Sequence, residues 1–87
     1  MTNELVTIRQ KIDTIDDSIA TLLVRRLELS LRVGELKKLN KIPVLDTKRE
    51  ESILGRIANH IPDELNMAIL GIFKTIIIQS RKLQSHE

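Results

Sequence analysis

An 87-residue chain with 14 basic and 12 acidic residues, no cysteine and one aromatic side chain, Phe73, excludes several classes of function. A formal charge of +2 is too small and too interspersed for a nucleic-acid surface, and a single aromatic gives exposed bases no stacking platform. Without cysteine there is neither a disulfide framework nor a thiolate metal site, and His60 and His86 stand apart as surface histidines do.

No apolar run reaches membrane-spanning length, and the N-terminus lacks the basic start and apolar core of a signal peptide. The chain reads as one soluble, cytosolic, all-α domain over residues 1–87. At this size a lone hydrophobic core is marginal, and oligomerisation is a common remedy.

The first element dominates the rest. Residues 5–39 contain no proline and one late glycine, Gly34. Leu5, Ile8, Ile12, Ile15, Ile19, Leu22, Leu29, Val33 and Leu36 recur at spacings of three and four, the seam of a long helix. Thr2 or Asn3 is placed to cap it, with Glu4 in its first turn. One seam position, Arg26, holds a cation where an aliphatic residue belongs. After Ile19 the apolar face widens through Ala20, Leu23, Leu27 and Leu31, so the half that holds Arg26 is expected to be the more buried one.

At about 1.5 Å per residue this helix spans about 52 Å, whereas a compact globule of this length is only roughly 31 Å across. The remaining chain cannot cover it. The expectation is an intertwined homodimer in which two long helices pack together.

Pro43 closes the first helix by pushing Ile42 out of helical conformation. Thr47 and Glu50 form a capping-box pattern, with Asp46 an alternative cap, and a short second helix is predicted over 47–60. Its apolar face is Ile53, Leu54, Ile57, Ala58 and Ile61. Pro62 then suits the start of a third, medium-length helix over 63–84. Leu65, Ile69, Ile72, Phe73, Ile76 and Ile77 line one side of it, and Ser80 and Gln84 continue that row.

Lys37 follows Arg26 by eleven residues, a net rotation of about 20°, so both leave one face about 16 Å apart. Ser30 and Val33 lie between them. Two cations at the ends of a small-residue strip suit an anionic ligand, though the pattern alone favours Arg26 paired with Glu50 or another carboxylate and Lys37 solvated. Arg9 cannot reach Arg26 within its own helix. In an antiparallel helix pair it could come from the second copy, or it could be a surface arginine. Asp46, Arg49 and Glu50 at the second helix start fit ordinary capping, although Arg49 opposes the helix dipole there. Ser80 and Gln84 are either a solvated helix end or hydrogen-bond donors to a ligand.

Taken in order, Ile8-Arg9-Gln10-Lys11-Ile12, Arg25-Arg26-Leu27-Glu28-Leu29, Val33-Gly34-Glu35-Leu36-Lys37, Pro43 through Glu50, and Ile77-Ile78-Gln79-Ser80 with Gln84 resemble the all-helical (type II) chorismate mutases over nearly the whole chain. The resemblance implies a three-helix protomer in an interlocked dimer with two active sites. It implies conversion of chorismate to prephenate in aromatic amino acid biosynthesis, without cofactor, metal or covalent intermediate. Arg26, Lys37, Asp46, Arg49, Glu50, Ser80 and Gln84 would then come from one subunit and Arg9 from the other. Lys37, Gln84, Arg26 and Glu50 would carry the catalytic roles, with Gln84 as the glutamine form of the family. An isochorismate pyruvate-lyase of the same fold is the nearest rival, and a non-catalytic helical dimerisation or regulatory module is the non-enzymatic one.

Overall fold

A computed structural model describes residues 2–85, so His86 lies outside the described residues. The order is α1 (Thr2–Leu39), α2 (Thr47–Ala58), a 3-10 turn (Asp63–Leu65) and α3 (Asn66–Ser85). Among the described residues there is no strand. Among those residues, too, no helix is long and apolar enough to cross a membrane.

The long helix sets the shape. Its 38 residues at about 1.5 Å each account for the longest dimension, 57 Å. The radius of gyration is 16.5 Å, well above the roughly 12 Å of a compact chain this long. Every residue from 2 to 22 is exposed, and burial begins only at Leu23. The seam is therefore open to solvent in the single chain, with Ile8, Ile12 and Ile19 nearly half exposed. Thr2 and Asn3 do not cap α1. They lie inside it, and Asn3 accepts through its carbonyl from Thr7 Oγ1 at 2.9 Å.

The C-terminal half of α1 is the packed half. Arg26 meets Ser80 and Gly34 meets Gln84, so α3 runs beside α1 in the same direction. Gly34 has a packing reason. A Cβ built there would lie 2.7 Å from the Cα of Gln84, closer than side chains approach backbone. Glycine at this position lets two helix backbones come together.

The end of α1 is made by local bonding more than by Pro43. Lys41 takes a left-handed φ of 56°. Its N–H donates to the carbonyl of Lys38, and the N–H of Ile42 donates back to the carbonyl of Lys37 at 2.8 Å. This is the paired closure of a Schellman turn, with lysine where glycine is usual. Pro43 follows immediately.

Of the two possible caps for α2, Asp46 is the one used. Its Oδ1 accepts from the N–H of Arg49 at 3.0 Å, and Thr47 begins the helix. The helix stops at Ala58, two residues short of the expected end, and Pro62 leads into the 3-10 turn before α3. Ile53 and Ile77 are the buried aliphatic residues of the single chain. Both α1 and α2 pack against α3 but not against each other. The gap between them becomes the site.

Candidate active site

A cavity of about 440 Å³ lies between the second half of α1 and the start of α2, with the last turns of α3 as its floor. That volume suits one small molecule. Leu29, Val33, Ile53 and Ile77 supply apolar wall. Arg26, Lys37, Asp46, Arg49, Glu50, Ser80 and Gln84 all line the same cavity, so three helices and a loop converge on one place. Arg9 does not join them. It is exposed on α1, about 26 Å along the helix from Arg26.

Arg26 is half-buried, and its Nη1 donates to Ser80 Oγ at 2.5 Å. Ser80 is only 6% exposed, so this is an interior contact and not a frayed helix end. No carboxylate lies within ion-pair distance of Arg26 among the described residues. Burial lowers the pKa of its guanidinium from the ordinary value, and the like charges of Arg49 and Arg56 lower it further. All three effects disfavour the cation, and the attraction of a bound anion would oppose them. Arg26 does not pair with Glu50, whose ion pair is with Arg81.

Lys37 is also half-buried. Its Nζ donates to the carbonyl of Val44 at 2.8 Å, which ties the α1–α2 loop across the cavity end. An ammonium has three protons, so two are left for a ligand. Asp46 is partly consumed by its capping bond to Arg49 N–H, which leaves Oδ2 as its second acceptor. Arg49 itself is exposed at the cavity edge.

Gln84 carries a buried Oε1 with no hydrogen-bond partner among the described residues. Such an orphan costs free energy unless a ligand group satisfies it. A half-turn of the amide exchanges Oε1 for Nε2, so this position can present either an acceptor or a donor.

Sequence reasoning missed Arg81. Its Nε lies 3.2 Å from Glu50 Oε2, close enough for an ion pair, yet it is not aligned for a hydrogen bond. Charge is compensated there while the directional bond is not made. The signal was present: Arg81 follows Ile77 by four residues and precedes Gln84 by three, on the row already assigned to the site. The Val44 carbonyl, a backbone group, left no such signal.

A model of the family described as chorismate mutase type II matches residues 8–85. The chain belongs to the type II chorismate mutase family. A chorismate mutase of Methanocaldococcus jannaschii is 39% identical, over 97% of this chain and 87% of that protein. The bifunctional chorismate mutase/prephenate dehydratase of Escherichia coli K12 is 33% identical over 97% of this chain, which spans only 24% of that longer protein. A 4-amino-4-deoxychorismate mutase of Streptomyces pristinaespiralis is 27% identical over 95% of this chain and 66% of its own length. No solved structure matches the chain significantly.

Proposed function

We propose that this chain rearranges chorismate to prephenate. The bond between the ether oxygen and the ring breaks while a carbon–carbon bond forms within the same molecule. No group leaves and no proton need move in that step. Residues 1–87 form one such domain, whether alone or within a longer protein.

The observation that carries this reading is Arg26: a half-buried guanidinium with no acid within ion-pair distance among the described residues, facing a cavity of fitting size. A dicarboxylate is the missing counter-charge. Arg26 and Arg49 hold the carboxylates by charge-assisted hydrogen bonds, with Ser80 fixing the Arg26 fork. That keeps the flexible arm of the substrate folded over the ring, an orientation effect. Lys37 and Gln84 donate to the ether oxygen as negative charge develops on it, where stabilisation raises the rate. Glu50 and Asp46 accept from the ring hydroxyl. A millionfold acceleration needs about 8 kcal/mol, within reach of several such contacts in a dry site.

We propose further that the working form is a homodimer and that Arg9 reaches the partner's cavity. Supporting this are the exposed apolar seam over residues 5–22 and the open rim of the cavity, where Leu29 is 67% exposed. Sedimentation at micromolar concentration tests the assembly, and a monomer there would refute it.

The test of the reaction is loss of chorismate absorbance on adding protein, with prephenate identified as product. Release of pyruvate from isochorismate instead would point to the lyase of the same fold.

A further inference from the structure

We propose that Arg81 selects the ring substituent, favouring a neutral hydroxyl over an ammonium group at that position of the substrate. The inference rests on the proposed reading of Glu50 as the acceptor for that substituent.

The geometry is an ion pair built into the wall of the site. Arg81 Nε stands 3.2 Å from Glu50 Oε2, the side chains are 38% and 25% exposed, and both line the cavity. Among the described residues neither has another ion-pair partner. Glu50 therefore enters the site with its charge already answered, while its second oxygen and remaining lone pairs can still accept. A hydroxyl asks for no more than that.

An amine in the same place behaves differently. Aliphatic amines hold their proton at neutral pH, so the substituent would be a cation. It would meet a carboxylate already neutralised and a guanidinium within a few ångströms. The other charges nearby are mostly of the same sign, with Arg26, Lys37 and Arg49 as cations against the single carboxylate of Asp46, which gives only partial relief. Like charges at roughly 6 Å, at the effective dielectric of a protein surface, differ from a neutral contact by about tenfold or more in affinity. Without Arg81, Glu50 becomes an uncompensated carboxylate suited to an ammonium.

The experiment compares kcat/KM for chorismate and for 4-amino-4-deoxychorismate in the wild-type protein and in Arg81→Leu, Arg81→Gln and Arg81→Lys. Circular dichroism and thermal melts first establish that each variant is folded, and Arg81→Gln serves if Arg81→Leu is not. The expected result is a rise of about tenfold or more in the amino-to-hydroxyl ratio for the neutral variants. Arg81→Lys, which keeps the charge, should stay near the wild-type ratio. If a neutral variant slows both substrates equally, Arg81 is structural and the inference falls while the mutase reading stands. If the wild-type protein turns over neither compound, the reading beneath it fails and takes the inference with it.

Discussion

Gly34 and Gln84 lie back to back, with room between the two helices for a hydrogen but not for a methyl group. The 2.7 Å separation between a Cβ at Gly34 and the Gln84 Cα involves backbone, which cannot swing aside as a side chain tip would. Gly34→Ala therefore has to push α3 away from α1. Overpacking of this kind costs about 1–3 kcal/mol, and the better helix propensity of alanine returns roughly 0.5–1 kcal/mol. The net loss, up to about 2.5 kcal/mol, should appear as a lowered Tm. The displaced residue is Gln84, so turnover should fall by at least about tenfold at temperatures where the variant is still folded. Wild-type stability in this variant would contradict the described packing.

Arg26 should separate stability from activity. Its folded-state pKa is lowered, so the cation is less favourable in the folded chain than in the unfolded one. The sign is that of a destabilising group at every pH below the folded value. Arginine does not titrate in the working range, so this cost should be constant from pH 5 to 9 and give no pH-dependent window of its own. Arg26→Met keeps the apolar stem and removes the charge. It should melt no lower than wild type, while Arg26→Ala and Arg26→Met both lose nearly all turnover. Thermal melts beside steady-state rates check this, and substantial turnover in either variant would remove Arg26 from the site.

The dimer proposal makes a quantitative prediction. Arg9→Ala and Lys37→Ala should each be nearly inactive. If the two residues serve one site from different subunits, mixed dimers contain one intact site and one doubly damaged site. Random exchange of equal amounts then restores about a quarter of wild-type activity, from symmetry alone. No recovery after demonstrated subunit exchange would place both residues on the same chain's site or put Arg9 outside it.

Much of this molecule was legible from the sequence, for identifiable reasons. The long seam and the two proline breaks gave three helices because periodicity and proline act locally. Arg26 stood out because it interrupts an aliphatic row. The helix ends were less legible. Asp46 and Thr47 are both good caps, and local chemistry alone does not decide between them. The left-handed Lys41 was hidden because nothing in a lysine announces that conformation. Arg81 went unnoticed because a basic residue near a C-terminus usually serves the helix dipole, and only the fold brings it to Glu50. Gly34 was visible as a glycine, but the approach of Gln84 that requires it is a tertiary fact.

In the proposed function, an organic dianion supplies the counter-charge Arg26 lacks and is rearranged there. Adding purified protein to chorismate and following its absorbance, with the product identified, tests this most directly. Wild-type protein should consume chorismate with prephenate as the product, and Arg26→Ala, still folded, should not. Chorismate left unchanged by wild-type protein, or consumed equally by Arg26→Ala, would contradict it.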